Sequence, residues 1–368
     1  MSKNFFFKLV SIFLSVIFTY ILFFFYFFIN LEKNFEGNFK NKQTLSFYKK
    51  YSDKVHHIRY RDAYRFQKKG EELIYNVIKN ESEKKIILFL GDSWFQQINE
   101  YEFAHDFLKN NLSNFSKIIN AGTASYSPSL INSQLNIIVN DFKIKPNVVV
   151  VYIDQTDMGD ELCRYKNLLN LDKKNGNLLS VSMKKFPYYQ DVFNLHEKIS
   201  FSEIELAKKN KIFKTQLLIN YKFKKSLRRL NQKLLVLFFN KSKDIKCEWK
   251  VIESYKEIIK KDEKEYFLSV LNKLFHSLNE KKYIEKIYIV THPHKLQLTT
   301  NKQPIDVSKF VSEIVHDFNK IDHINFSKII AKKEKFYQDL ETIWLNDSIH
   351  LNEQNYRKFL KEIVQIIY

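Results

Sequence analysis

The apolar positions of this chain fall into three kinds of pattern. The first is a long charge-free run from Leu9 to Ile29, LVSIFLSVIFTYILFFFYFFI. At about 1.5 Å per helical residue it spans roughly 30 Å, the thickness of one bilayer core. The second is a set of short apolar runs closed by turn residues: Ile86–Leu90 before Gly91, the SKIIN segment before Ala121-Gly122, Val148–Ile153, Ile287–Val290, and a weaker one around His323–Phe326. Continuous runs of this length fit strands buried on both faces, as in parallel sheets. The third is helical spacing, at about Ile58–Asn80, Phe95–Leu112, Ser129–Phe142, Val307–Asn319 and Glu353–Ile367.

Strands that alternate with helices predict an α/β domain, a parallel sheet covered on both faces. Residues 166–281 break the alternation: they are Lys-rich and mostly helical in pattern. The expected organisation is therefore an N-terminal transmembrane anchor (1–30), a polar Lys/Asn-rich linker (31–57), an α/β body in two pieces (58–165 and 282–368), and a helical insertion (166–281). The insertion separates the third and fourth strands, so it is expected to rise near the strand ends as a cap or docking surface.

Composition narrows the class. With 45% hydrophobic and 27% charged residues in 368, the chain is globular in type. Its net charge of +19 comes from lysines spread along the whole chain, not from one basic block. No nucleic-acid partner is expected; anionic headgroups or anionic glycans are a better use for such a surface. The apolar run ends in bulky FFFYFFIN without the small residues of a cleavage site, which favours an uncleaved anchor over a signal peptide. Lys3 and Lys8 precede it, while Glu32 and Glu36 mix with Lys33, Lys40 and Lys42 after it. The positive-inside tendency then puts the N-terminus in the cytoplasm and the body outside, periplasmic or at the cell surface. Cys163 and Cys247 are the only cysteines and lack zinc-site spacing. In an oxidising compartment they could pair, which spacing alone leaves open.

Ligands of open parallel sheets collect at the carboxyl ends of the strands. Chemically capable residues follow the predicted strands: Gly91-Asp92-Ser93, Asn120-Ala121-Gly122, Asp154-Gln155-Thr156-Asp157, and His292-Pro293-His294. Asp347 and His350 lie in a loop before the last helix. A serine hydroxyl needs a base to become a nucleophile, and imidazole suits that task near neutral pH. Asp347, three residues before His350, could hold the other ring N–H and fix the tautomer. Backbone N–H groups of Ser93 and Gly122, with the Thr156 hydroxyl, could bind the developing oxyanion.

These blocks resemble, in order and spacing, the SGNH (GDSL-like) hydrolase family. Gly91-Asp92-Ser93 matches its nucleophile block, Asn120-Ala121-Gly122 the block with the oxyanion glycine, and Asp347-Ser348-Ile349-His350 its terminal Asp-x-x-His. Residues 154–157 stand where the family has Gly-x-Asn-Asp, with Asp154 in place of the glycine and Thr156 in place of the oxyanion asparagine. The resemblance covers about 85–165 and 284–368. It implies a three-layer α/β/α sandwich, flavodoxin-like, and ester chemistry through a Ser93 acyl-enzyme without cofactor or metal. The reaction it suggests is deacylation, such as deacetylation, of an extracytoplasmic glycan. Transfer of the acyl group to a surface polysaccharide, with a membrane-embedded acyltransferase as partner, is the related version, and a lipid ester is a further substrate option.

Each residue has a plainer reading. Ser93 could cap a helix, Gly122 could be a turn glycine, and the 347–350 loop could cap the last helix. Asp92 and Asp157 read as structural braces. His292 and His294 alternate along an extended segment and could line one pocket wall, for substrate positioning or as plain packing. Asp160, Glu161 and Arg164 read as a loop salt-bridge cluster. Loss of the family's Asn and Gly at 156 and 154 also allows a binding or assembly protein that keeps the fold without fast chemistry.

Overall fold

The computed structural model describes residues 3–30, 50–51, 54–55, 72, 74–80, 85–182, 210–220, 223, 259–299, 305–333, 336–337, 340–345 and 349–368. Most of the expected linker and the middle of the expected insertion therefore lie outside the described residues. The chain divides into two units, Met1–Phe47 with Lys184–Ile245, and Tyr48–Met183 with Lys246–Tyr368.

In the first unit the charge-free run forms α1 (Lys3–Ile29). Its segment Val10–Ile29 is long and apolar enough to cross a membrane, a candidate anchor or signal sequence. Helix 211–220 belongs to the same unit.

The second unit is an α/β fold built on a six-stranded sheet of order β1-β3-β2-β4-β7-β8: β1 (Asn76–Lys79), β2 (Ile86–Leu90), β3 (Lys117–Asn120), β4 (Val148–Tyr152), β7 (Lys286–Thr291) and β8 (Ile321–Asn325). All neighbours pair in parallel except β1, which runs antiparallel to β3 at the edge. The sheet is thus mixed, not all-parallel as expected. Residues 76–79, read as the end of a helix, form that edge strand; Val77 and Ile78 are β-branched, which suits a half-buried edge.

The two central strands carry no polar side chain apart from the Tyr152 hydroxyl, and both of their faces are buried. Ile87, Phe89, Val150, Tyr152 and Val290 join one cluster with Phe359, Leu360 and Ile363. The alternate residues Leu88, Leu90, Val149, Val151, Ile287 and Ile289 are equally shut off from solvent. The first face is covered by α3 (Glu102–Asn111), α8 (Phe326–Lys332) and α9 (Glu353–Ile367). In α9, buried Tyr356, Phe359, Leu360, Ile363 and Val364 recur at helical spacing. The expected helix 95–112 is two pieces, because Tyr101 takes an extended backbone as N-cap of α3. Before it lies α2 (Ser93–Gln96).

The stretch read as an insertion contributes to this body at both ends. Residues 169–181 form a hairpin of β5 (Leu169–Leu171) and β6 (Leu178–Val181). A long helix, α6 (Lys261–Asn279), packs on α4 (Pro128–Asn140) and α7 (Val307–Val315) through Phe267, Val270, Leu271, Leu274 and Phe275. A regular i, i+3, i+4 apolar stripe is why α6 joins the core instead of standing apart.

Glu161 ties this layer together. It is fully buried, and its carboxylate accepts from Ser127 Oγ (2.6 Å), Ser129 Oγ (2.7 Å), Ser129 N–H (3.0 Å) and the Tyr266 phenol on α6 (3.1 Å). Among the described residues it forms no salt bridge; Arg164 pairs with Asp160 at 3.0 Å. Glu161 thereby caps the start of α4 from a different element. Replacing Glu161 by Ala orphans four donors at once, so urea unfolding of the detergent-solubilised protein should show a loss of about 3 kcal/mol. A shift within about 0.5 kcal/mol would mean that water reaches those donors.

Candidate active site

Parallel pairing brings the strand ends level. Leu90 pairs with Val151, Phe89 with Asn120, and Tyr152 with Val290. The loops that follow leave the sheet at one edge: Thr123 N–H bonds Gly91 O at 2.9 Å, and Ile153 N–H bonds Val290 O at 3.0 Å.

After β2 the chain must turn at once into α2. Gly91 has φ +154°, and a Cβ there would lie 2.9 Å from Tyr152 Cβ, so only glycine fits. Asp92 then caps the helix, its Oδ1 accepting the Trp94 N–H at 2.9 Å. Ser93 is the first helical residue, half-buried, and its own N–H has no intrahelical acceptor. Its Oγ lies 2.7 Å from His350 Nε2. For Ser93 O–H to donate to that nitrogen, the ring must carry its proton on Nδ1, the tautomer a general base needs. Asp347, expected to hold Nδ1, lies outside the described residues.

The His350 loop is pinned from both sides. Trp344 and Leu351 form an antiparallel bridge, Leu345 N–H bonds His350 O at 2.7 Å, and Asn352 N–H bonds Ile343 O at 2.8 Å. Leu351 O accepts the Tyr101 phenol at 2.9 Å, and the Tyr356 phenol donates to Trp94 O at 2.7 Å. These two tyrosines join the histidine loop and α9 to the turn that carries Ser93. Sequence reading missed both, since a phenol on a helix looks like ordinary packing.

The two other expected oxyanion donors are engaged within their own loops. Gly122 N–H donates to Asn120 Oδ1 at 3.0 Å. A Cβ on Gly122 would sit 2.5 Å from Gln96 N, so the glycine serves close packing of its loop on α2. Thr156 gives both its N–H and its hydroxyl to Asp154 Oδ1, each at 2.7 Å. Asp154 is the N-cap of α5 (Gln155–Asp160), and Asp157 completes a capping box by accepting Asp154 N–H at 2.9 Å.

His292 and His294 do not line a pocket wall either. His292 is buried against Trp94, with ring centroids 4.7 Å apart. Its Nδ1–H donates to Pro293 O and its Nε2 accepts the Tyr337 phenol, each at 2.7 Å; a carbonyl can only accept, which fixes the tautomer. Burial pushes it down to about 3, so it stays neutral. His294 is equally buried and donates from Nε2 to Asp154 Oδ2 at 2.8 Å.

Asp92, Asp154 and Asp157 are all buried, with carboxylate oxygens within 4.8 Å of one another. Each already bonds within the fold, and we assign no metal to them. Burial, with Asp154 nearby, pushes Asp92 well above the usual carboxylate range, and burial with Asp92 and Asp154 does the same to Asp157. Burial would raise Asp154 too, but His294 and the Thr156 bonds outweigh it and hold Asp154 low. Buried Asp160 rises to about 7 despite Arg164.

No protein-family profile matches the chain, and no curated protein matches it. Among solved structures, one provisionally described as a platelet activating factor from Streptococcus pneumonia aligns with a TM-score of 0.36 at 12% identity, covering 78% of this chain and 86% of that one. A gut microbial diltiazem-metabolizing enzyme aligns with a TM-score of 0.38 at 11% identity, covering 78% of this chain and 48% of that one. At these values neither likeness bears on what this chain does.

The raised Asp160 has a stability consequence. It is protonated in the folded state where the unfolded chain, at its ordinary value near 3.8, is ionised. The folded state then binds the extra proton, so this contribution is present at low pH and lost as pH rises from about 4 through about 7. Asp160→Asn should flatten that part of the stability profile in thermal melts taken across the window; an unchanged slope would mean Arg164 keeps Asp160 ionised.

Proposed function

We propose that the chain is an ester hydrolase of SGNH type, working through a Ser93 acyl-enzyme on an α/β/α sandwich. The single observation that supports this reading is the 2.7 Å contact between Ser93 Oγ and His350 Nε2 at the carboxyl edge of a parallel sheet. Ser93 Oγ attacks the ester carbonyl while its proton passes to His350 Nε2, and Asp347 steadies the imidazolium from Nδ1. The proton goes to the leaving alkoxide, which departs as the alcohol. Water, activated by the same imidazole, then releases the acid and restores Ser93. Ser93 N–H, at a helix N-terminus, is placed to donate to the oxyanion.

The substrate class in this reading is an acylated extracytoplasmic glycan, with an acetyl group as the simplest case and a lipid ester as the variant. Two features support an extracytoplasmic body beside a membrane: the apolar helix at Val10–Ile29, and Cys163, which is disulfide-bonded and so suits an oxidising compartment. Transfer to a sugar hydroxyl, next to a membrane-embedded acyltransferase, follows the same chemistry with a different second nucleophile. One observation favours a slower reading. Gly122 N–H and Thr156 O–H are both engaged inside their loops. A protein that holds its ligand and turns it over weakly would look the same.

Fluorophosphonate labelling of full-length, detergent-solubilised protein separates these. Ser93 should carry the adduct, Ser93→Ala should lose it, and His350→Ala should slow it by more than about 10³-fold. Folded protein that takes no label at Ser93 supports the binding reading. Where labelling occurs, acetate release from a chromogenic ester should not change when oligosaccharide acceptors are added; a rise or diversion of product would point to transfer.

A further inference from the structure

Two groups compete for the Ser93 hydroxyl. His350 Nε2 is 2.7 Å away, and Asp92 Oδ2 is 3.4 Å away. An ionised Asp92 would draw the proton from the imidazole and repel the negative charge that develops on the attacked carbonyl. Asp92 is also one of three buried carboxyls crowded within 4.8 Å of one another. Where the cluster keeps its negative charge therefore decides whether Ser93 has a neutral or an anionic neighbour.

We propose that His294 is a positioning residue for the Ser93 reaction: by bonding Asp154 it localises the cluster's negative charge there and leaves Asp92 neutral beside the nucleophile. This rests on the reading of Ser93 as nucleophile and concerns Asp154, which stands where the resembling family has glycine. Asp154 is equipped to hold the charge. Its Oδ2 takes His294 Nε2–H at 2.8 Å, and its Oδ1 takes Thr156 N–H and O–H at 2.7 Å, with Asp157 N–H at 3.4 Å. Asp92 has only the Trp94 N–H at 2.9 Å and the long Ser93 contact. Asp157 has the Asp154 N–H on one oxygen and no hydrogen-bond partner on the other among the described residues. A charge goes where donors are most numerous. The raised values of Asp92 and Asp157 and the lowered value of Asp154 agree with that partition. Among the described residues, the Tyr152 phenol lies 3.4 Å from Asp154 Oδ2, neutral His292 faces Asp154, the Tyr356 phenol faces Asp92, and Asp160 sits beside Arg164. The arrangement also gives Thr156 a task other than oxyanion donor: its hydroxyl helps to anchor the charge.

A double-mutant cycle tests this, read as the rate of fluorophosphonate labelling at Ser93 in full-length protein. His294→Gln removes the imidazole that bonds Asp154 and leaves a weaker amide donor of similar reach. It should slow labelling by about tenfold, less than the ~10²–10³ typical of a lost oxyanion donor. The loss should deepen as pH rises, because Asp92 can then ionise. In an Asp92→Asn background the helix cap survives, since Asn caps as well as Asp. No charge can settle at 92 there, so His294→Gln should cost nothing further relative to Asp92→Asn alone. An equal loss in both backgrounds, with no change in pH profile, would overturn the proposal and make His294 a packing residue. Wild-type protein that takes no label at Ser93 would instead remove the nucleophile reading, and the proposal with it. Thermal melts of the four proteins show whether each is folded, and a misfolded His294→Gln is replaced in the same cycle by His294→Asn.

Discussion

A hydroxyl and an imidazole 257 positions apart meet at 2.7 Å only if the sheet between them is rigid and its strand ends are level. Both conditions come from the central strands. Ile86–Leu90 and Val148–Tyr152 bury both faces, so a slip of one residue would turn a full set of side chains to the wrong layer. That register in turn sets Gly91 against Tyr152, where a side chain has no room, and forces the sharp exit into α2. The site is then closed from the other end of the chain by two phenols, Tyr101 on Leu351 O and Tyr356 on Trp94 O. Backbone carbonyls near Ser93 and His350 are thus held by tyrosine side chains that flank them.

The same burial that makes the sheet rigid makes charge expensive beneath it. Two unit charges about 4.8 Å apart repel by about 3.5 kcal/mol at an effective dielectric near 20. Three ionised carboxylates at that spacing would offset much of a domain's net stability. The fold avoids this by giving one carboxylate many donors and leaving the others few. Aromatic packing around the cluster sharpens the contrast: Trp94 stacks on Tyr152 at 5.0 Å and leans on neutral His292. Burial keeps the imidazole in that wall neutral, whereas His294, two residues on, bonds Asp154.

How much of this was legible depended on whether the cue was local. Ile86–Leu90 and Glu353–Ile367 were readable to the residue, because a continuous apolar run ended by glycine and an amphipathic stripe after an Asn cap are complete in themselves. Residues 76–79 were not: four residues acquire their strand character from pairing with β3. The helix α6 was seen as helical but assigned to an insertion, since its destination against α4 and α7 is a tertiary fact. Ser93, Gly91 and His350 could be picked out from type and order. The direction of a hydrogen bond could not, as the loop bonds of Gly122 and Thr156 show. The partner of His294 lies 140 positions upstream, beyond any spacing rule, although the aspartate at 154 was already visible as a departure from the resembling pattern.

That departure changes what the loop after β4 contributes. The resembling pattern has a glycine and an asparagine at positions 154 and 156. Asp154 and Thr156 replace that with an anion and a hydroxyl bonded to each other, so the loop supplies a buried negative charge where a donor was expected. An anion in this position opposes an oxyanion at the same strand end unless something offsets it, and the basic side chain bonded to it among the described residues is His294. The substitution at 154 and the histidine at 294 are therefore intelligible only together.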